Sequence, residues 1–279
     1  QGRFNEFYQS DIDVVGFNKL DISYDSEFPA IIYEIFKNVF KVDRFVMRIS
    51  NRKLLEGMFR EKGLTQVDKI KRAVRVIDDI EKVDESTTMS RLDEIGMTKE
   101  NASELLTFFR EICAKTPSEA IAYLSTECGF RDRQLLEGVD ELSKVVEGII
   151  ANGVSEEYFK VDPRIARGLD YYTGTVYETN LLDHLELGSV CSGGRYNDLV
   201  STLSGDPSDN YPGVGLSIGL SRLVPTLIKA GYLMADTQTI APILVTCQDK
   251  KFISRYQEIG AVLRGARFKT DVYLNKTVK

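Results

Sequence analysis

The spacing of hydrophobic and polar residues predicts β-rich segments at both ends of the chain and a long helical segment between them. Residues 7–15 alternate with period two, which predicts a strand that places Gln9, Asp11 and Asp13 on one face. A half-buried strand with this face in water and a strand that lines a polar cleft explain the pattern equally well.

A helix is predicted over about 27–41, with Asp25 or Ser26 as its N-cap. Its apolar stripe consists of Phe28, Ile31, Ile32, Ile35, Phe36 and Val39. Residues 44–50 read as a strand, and Asn51 can cap the short helix that follows.

From about 64 to 153 the apolar spacing is helical throughout and charged residues are dense, which predicts an inserted helical module. Strand patterns return at 171–180, 187–192 and 213–219, and the last of these runs into a helix that ends near residue 230. Hairpin-like turns between strands favour an antiparallel sheet.

A polar linker at 231–240 separates this part from a different pattern. Residues 242–247 read as a buried strand, 250–265 as a helix and 269–274 as a second strand. This order is typical of an α/β unit with a parallel sheet, so we expect it to begin another domain.

Composition narrows the possible functions. The chain has 279 residues, of which 43% are hydrophobic, so a core can form. A net charge of −6 argues against a surface covered in nucleic-acid-binding charge, although a local basic patch could still bind RNA. We expect a cytoplasmic chain that does not enter membranes, because the sequence has neither a transmembrane run nor a signal-peptide pattern.

The four cysteines include no C-x-x-C pair, which argues against a disulfide framework or a zinc site. We therefore expect no metal site. His184 is the single histidine and falls in a predicted turn, so a Ser-His-Asp triad cannot be built elsewhere in the sequence. Both ends look cut, and we expect the chain to be part of a longer protein.

The segment from Arg167 to Thr175 reads RGLDYYTGT and combines an arginine, a carboxylate, two phenols and two glycines. Glycine is poorly suited to a strand interior, so this segment predicts the rim of a polar pocket that contains a positive charge. Farther on, Arg222 falls in the first turn of a helix that follows a glycine-rich strand. Helix amides and a guanidinium favour an anion such as phosphate, whereas the simpler alternative is an ion pair with a surface carboxylate.

Four segments in sequence order resemble those of histidyl-tRNA synthetases. Residues 3–13 (RFNEFYQSDID) are similar to the second half of class II motif 2, and residues 166–178 (ARGLDYYTGTVYE) resemble the signature peculiar to this family. Residues 192–200 (SGGRYNDLV) resemble its glycine-rich strand and turn, and residues 213–223 (GVGLSIGLSRL) resemble class II motif 3.

The resemblance implies an α+β fold: a class II synthetase-type antiparallel sheet flanked by helices, an all-helical insertion and the start of an α/β anticodon-binding domain. The domains expected from it are the first part of the catalytic core at 1–63, the helical insertion at 64–153, the second part of the core at 154–235, and a truncated anticodon-binding domain at 241–279.

The resemblance also implies functional roles. Gln9 and Asp13 would hold the substrate histidine, with the Asp13 carboxylate meeting its α-ammonium group. Tyr171, Tyr172 and Tyr196 would form the imidazole pocket. The catalytic residue would be Arg167, which would lie against histidine and the α-phosphate of ATP, while Arg222 would bind the ATP phosphate tail.

The implied activity is histidine–tRNA ligation, with L-histidine, ATP with Mg²⁺ and tRNA(His) as substrates, no tightly bound cofactor, and a homodimer in the full-length parent. Motif 1 and the first half of motif 2 are absent from the sequence, and Ser221 stands where motif 3 usually has glutamate. We therefore expect the 279 residues alone not to activate histidine.

Two alternatives keep the fold without charging tRNA. One is a synthetase-like subunit that senses histidine and regulates ATP phosphoribosyltransferase, and the other is a domain that senses uncharged tRNA inside a larger kinase. Such relatives tend to lose the signature motifs, whereas Arg167 and Arg222 are both present here. The resemblance therefore favours the enzyme.

Overall fold

A computed structural model describes residues 6–126, 128–166, 171–206, 208–235 and 240–276. The chain divides into two compact units, Gln1–Tyr232 and Leu233–Lys279. Each unit is described by itself.

The first unit is built on a six-stranded sheet with the strand order β1-β6-β5-β4-β2-β3. Its strands are β1 (Ser10–Val15), β2 (Phe45–Asn51), β3 (Phe159–Val161), β4 (Thr175–Leu181), β5 (Ser189–Tyr196) and β6 (Gly213–Ile218). All neighbouring strands are antiparallel except β2 and β3, which are parallel. This confirms the predicted α+β fold with a mostly antiparallel sheet.

Helices flank the sheet and fill the long connection between β2 and β3. They are α1 (Tyr24–Tyr33), α2 (Arg52–Glu61), α3 (Val67–Asp78), α4 (Glu85–Ile95), α5 (Lys99–Cys113), α6 (Pro117–Thr126), α7 (Arg133–Ala151), α8 (Leu199–Ser204) and α9 (Leu220–Lys229). Short 3₁₀ turns precede β3 and join β4 to β5. Asn51 caps α2 as predicted, because its side chain accepts a hydrogen bond from the Lys53 amide at 2.9 Å.

Several predicted boundaries were wrong. The strand predicted from residue 7 begins at Ser10, and the one predicted from residue 171 begins at Thr175. Helix α1 begins at Tyr24, so Asp25 and Ser26 lie inside the helix and do not cap it. Asp25 does not act as an N-cap because its carboxylate is buried and accepts hydrogen bonds from Arg195 of β5.

The predicted apolar stripe of this helix is only partly buried. Phe28, Ile32 and Phe36 are in the core, whereas Ile31 and Val39 are exposed. The helix continues after Tyr33 as a π-helical segment, which has more residues per turn than an α-helix. Val39 is the last residue of that segment, and the change of period turns it away from the core.

We call the side of the sheet that packs against α1 the covered face. There, Arg195 of β5 donates to both carboxylate oxygens of Asp25, with Nη2 at 2.6 Å from Oδ1. The Tyr177 hydroxyl of β4 donates to the backbone carbonyl of Asp25 at 2.6 Å. That carbonyl is available because Pro29, four residues later in α1, has no N–H to donate to it.

The second unit contains β7 (Ile243–Cys247), a 3₁₀ turn (Lys250–Phe252), α10 (Ile253–Gly265) and β8 (Thr270–Lys276). The two strands pair in parallel, which confirms the predicted α/β pattern of this segment. Across the part of the chain that the structure describes, every helix is too short or too polar to cross a lipid bilayer.

Candidate active site

A cleft of about 400 Å³ opens on the side of the sheet opposite the covered face, and we call this side the cleft face. The cleft is lined by Gln9, Asp11, Asp13, Tyr171, Tyr172, Ser192, Tyr196, Leu199, Gly215, Leu216 and Ser217. These residues come from β1 and the residue before it, the segment before β4, strands β5 and β6, and the start of α8. The structure therefore brings together Gln9, Asp13 and the three tyrosines that the sequence analysis singled out.

Two acidic side chains from β1 give the cleft its negative charge. Asp11 and Asp13 are both solvent-exposed in the open cleft. Asp13 accepts a hydrogen bond from the Tyr196 hydroxyl at 2.8 Å, and Asp11 accepts from the Gln9 carboxamide at 3.1 Å. Such a site favours a ligand that carries a positive charge, because two carboxylates lie within the same cleft.

The phenol side chains form an apolar wall. The rings of Tyr171 and Tyr172 lie 4.3 Å apart, centroid to centroid. Burial and the hydrogen bond with Tyr171 raise the pKa of Tyr172. Burial and the hydrogen bond to Asp13 likewise raise the pKa of Tyr196. Both phenols therefore stay neutral near pH 7 and add no charge to that of the carboxylates.

Glycines on β5 and β6 leave room for these side chains against the sheet. A Cβ atom on Gly213 would lie 2.3 Å from the Tyr196 ring, and one on Gly215 would lie 2.0 Å from the Asp13 carboxylate. A Cβ on Gly194 would lie 2.9 Å from the Tyr172 ring. Each distance is too short for any other residue type without displacement of a cleft side chain, which explains the glycine-rich strands.

The strand register also shows residues that the sequence analysis did not assign to the site. Asp11 pairs with Ser217, Ser217 with Ser192, Ser192 with Glu178, and Glu178 with Arg48. These five residues form one polar row across β1, β6, β5, β4 and β2, and the first three line the cleft. The polar residues within apolar strands were a visible signal, but their alignment depends on strand order, which one sequence does not specify.

The two predicted arginines have different outcomes. Arg167 lies outside the described residues, so its predicted role is untested. Arg222 is half-buried in the first turn of α9 and is not among the lining residues. Its Nη1 donates to the backbone carbonyls of Leu187 at 3.1 Å and Ser189 at 3.2 Å, so its predicted contact with ATP stays a prediction.

The single histidine and the four cysteines lie outside the lining of the described cleft. His184 lies in the turn between β4 and β5, as predicted, with Nδ1 at 3.3 Å from a Glu186 carboxylate oxygen. The four cysteines are free thiols. Among the residues that the structure describes, no group of three His, Cys, Asp or Glu side chains is arranged to hold a metal ion.

Comparisons with known proteins agree with the fold. The family model described as histidyl-tRNA synthetase matches residues 1–223. A histidine–tRNA ligase of Nostoc punctiforme is 41% identical over 271 residues, which are 95% of this chain and 55% of the relative. A histidine–tRNA ligase of Clostridium tetani is 44% identical over 246 residues, or 88% of this chain and 54% of the relative.

Solved structures of histidyl-tRNA synthetases and a related protein also match the chain. The histidyl-tRNA synthetase of Nostoc sp. PCC 7120 matches with a TM-score of 0.77 and 38% identity, over 100% of this chain and 63% of that chain. A Bacillus halodurans structure described as an ATP phosphoribosyltransferase regulatory subunit/histidyl-tRNA synthetase has a TM-score of 0.64 at 18% identity, which shows a shared fold alone.

The antiparallel sheet and its flanking helices are therefore those of a class II aminoacyl-tRNA synthetase. Within this class, the chain belongs to the histidyl-tRNA synthetase family. It spans about half the length of the curated relatives that it matches.

Proposed function

We propose that this chain supplies the histidine-binding part of a histidine–tRNA ligase. The enzyme would activate L-histidine with ATP to histidyl-adenylate and transfer the histidyl group to tRNA(His). The observation that carries the proposal is the cleft, where five residues linked to histidine by the family resemblance line one cavity: Gln9, Asp13, Tyr171, Tyr172 and Tyr196.

The cleft chemistry fits a histidine substrate. The Asp13 carboxylate would pair with the α-ammonium group, and Tyr196, which donates to Asp13, would hold that carboxylate in place. Tyr171 and Tyr172 would contact the imidazole ring through a neutral, largely apolar wall. The Gln9 carboxamide would add a polar contact, oriented through its hydrogen bonds to Asp11.

Activation would need charge stabilisation more than a base. The histidine carboxylate is already a nucleophile and would attack the α-phosphorus of ATP, with pyrophosphate as the leaving group. Arg167 would neutralise the charge that builds up on the phosphate oxygens, a contact worth about 100- to 1000-fold in rate. Arg222 would act on the phosphate tail. No histidine is required for these steps, which fits a chain whose single histidine lies in a turn.

The further substrates and the setting follow from the same proposal. ATP would enter with Mg²⁺ as its counterion, and tRNA(His) would accept the histidyl group. We infer a cytoplasmic homodimer as the working form of the enzyme, and an anticodon-binding role for the domain that begins in the second unit. We also infer the catalytic and insertion boundaries given by the sequence: 1–63, 64–153, 154–235 and 241–279.

The regulatory alternative has weaker support. Curated relatives that carry the name histidine–tRNA ligase are 36–44% identical over most of this chain. The structure described as a regulatory subunit/histidyl-tRNA synthetase is 18% identical, and that likeness concerns the fold alone. No feature of the described cleft favours a histidine sensor over an enzyme.

The proposal can be tested in the full-length gene product that contains this chain, by measuring histidine binding and histidyl-adenylate formation in the same preparations. Arg167→Ala should slow adenylate formation about 100- to 1000-fold and leave histidine affinity nearly unchanged. Asp13→Asn should weaken histidine binding at least about tenfold, because it removes the charge opposite the ammonium group.

Asp183→Asn is a suitable control, since Asp183 forms a surface ion pair with Arg44 outside the cleft. Its kinetics should match those of the wild type. The enzyme proposal is wrong if the wild-type protein binds histidine without forming adenylate. The role of Arg167 is wrong if Arg167→Ala forms adenylate at the normal rate.

A further inference from the structure

A network of ion pairs lies on the cleft face of the sheet, next to the histidine cleft but outside it. Its centre is Asp162, which directly follows β3 and is fully buried. Burial by itself would raise the pKa of this carboxyl, but hydrogen bonds from Arg164 and the charges of Arg48 and Arg164 outweigh it and hold the pKa below its ordinary value. Asp162 is therefore ionised and tightly held.

Arg48 connects this carboxylate to the sheet. It lies on β2 with its side chain about nine-tenths buried, and its Nε donates to Asp162 at 2.8 Å. Its Nη1 is 3.7 Å from the carboxylate of Glu178, the neighbouring residue in the polar row described above. The same row continues through Ser192 to the cleft, so the network and the cleft share one line of paired residues.

Glu81 closes the network from the helical module. It lies in the turn after α3 and accepts two hydrogen bonds from Arg48, with Nη1 at 3.0 Å and Nη2 at 2.9 Å. It is also 3.4 Å from Nη2 of Arg164. A bidentate contact of this kind fixes the plane of a guanidinium as well as its distance.

The network holds the segment that leads into the family signature. Asp162 accepts hydrogen bonds from the backbone amide, Nε and Nη2 of Arg164, at 3.1, 2.8 and 2.8 Å. The next two residues, Ile165 and Ala166, are buried, and both line a second cleft of about 250 Å³ together with Arg48 and Glu81. Arg167 is the residue that follows Ala166 in the sequence.

We infer that Glu81 is a positioning residue: through Arg48 and Arg164 it fixes residues 162–166, the segment that directly precedes the proposed catalytic Arg167 in the sequence. This inference rests on the proposed function. It gives the helical module a part in histidine activation that is separate from any contact with tRNA. A displacement of about 1 Å in a catalytic group can cost up to about 100-fold in rate, so a residue outside the cleft can affect catalysis in this way.

The test compares Glu81→Gln with Glu85→Gln. Glu81 and Glu85 are similarly exposed, 52% and 59%, and each contacts an arginine, but Glu85 contacts Arg110 away from the sheet. Both substitutions remove one partly exposed charge, so both variants should fold with nearly wild-type stability. Two readouts are used: hydrogen exchange at residues 162–172, and histidine-dependent ATP–pyrophosphate exchange by the full-length gene product.

For Glu81→Gln we expect faster hydrogen exchange at the Arg164 and Ile165 amides and about a tenfold lower kcat, with the KM for histidine within twofold of the wild type. Glu85→Gln should leave both readouts unchanged. Equal behaviour of the two variants in hydrogen exchange overturns the inference. So does faster exchange with unchanged kcat in an active enzyme. A wild-type protein without ATP–pyrophosphate exchange contradicts the proposed function instead, and the hydrogen-exchange comparison still tests the positioning.

Discussion

The two faces of the six-stranded sheet use neighbouring residues of β5 for opposite purposes. On the covered face, Arg195 is buried in a bidentate contact with Asp25, and it also donates to the backbone carbonyls of Leu20 and Asp21. On the cleft face, Tyr196 directs its hydroxyl to Asp13, whose carboxylate is open to solvent. On the covered face the charges of Arg195 and Asp25 are paired within the fold, whereas on the cleft face the Asp13 carboxylate stays accessible to a ligand.

This difference shows that a signature motif combines residues of two kinds. In the segment SGGRYND, the arginine has the chemistry of a phosphate ligand, but the structure places it behind the sheet. Its neighbour faces the cleft because side chains of a strand alternate between faces. Three predictions test this division, beginning with the largest expected effect.

Arg195→Gln should destabilise the protein by about 3–5 kcal/mol, because it leaves the Asp25 carboxyl buried without its cationic partner. Denaturant unfolding of the variant and the wild type measures this difference. Arg60→Gln is the control, since Arg60 makes a similar two-bond contact with Asp132 at a less buried position and should cost less. If Arg195→Gln instead keeps its stability and loses histidine affinity, the assignment of Arg195 to the covered face is wrong.

Tyr177→Phe should cost about 2 kcal/mol, because the buried carbonyl of Asp25 then has neither the phenol nor a helix amide as donor. Pro29→Ala restores an amide at the position that normally pairs with this carbonyl. The loss caused by Tyr177→Phe should therefore be smaller in the Pro29→Ala background. A double-mutant cycle of unfolding free energies measures this coupling, and a coupling energy near zero would contradict the account.

Gly213→Ala should weaken histidine binding about tenfold, or about 1.4 kcal/mol, because the added Cβ would displace the Tyr196 ring from the sheet. Gly219→Ala is the matched control. It lies at the end of the same segment with a φ of −77°, and its nearest neighbour would be 3.7 Å away. Isothermal titration with L-histidine compares the two variants, and equal affinities would show that glycine at position 213 is not needed for the cleft.

Much of the fold could be predicted from local patterns. The Asn51 cap, the helical segment between β2 and β3, and the strand–helix–strand order at the end follow from spacing and side-chain chemistry over short distances. The gathering of Gln9, Asp13 and the tyrosines in one cleft was expected because the family resemblance links these positions. Single-sequence patterns left the role of β1 undecided.

The remaining features depend on tertiary contacts. Asp25 has the chemistry of an N-cap, and only its contact with a strand 170 residues away explains its position inside the helix. The polar row from Asp11 to Arg48 depends on strand order and register, neither of which appears in the local sequence. The partners of Glu81 were equally hidden, because a charged residue in a helical turn is usually solvated.

The parallel pairing of β2 and β3 restricts how this protein can evolve. Adjacent parallel strands require a crossover of a dozen or more residues, and here the helices between them provide it. Homologues could enlarge, shrink or replace those helices, but a tight turn in their place would abolish β3 in its present orientation. Asp162, which directly follows β3, would then lose its place. Loss of the whole crossover is therefore a deletion that the six-stranded sheet would not tolerate.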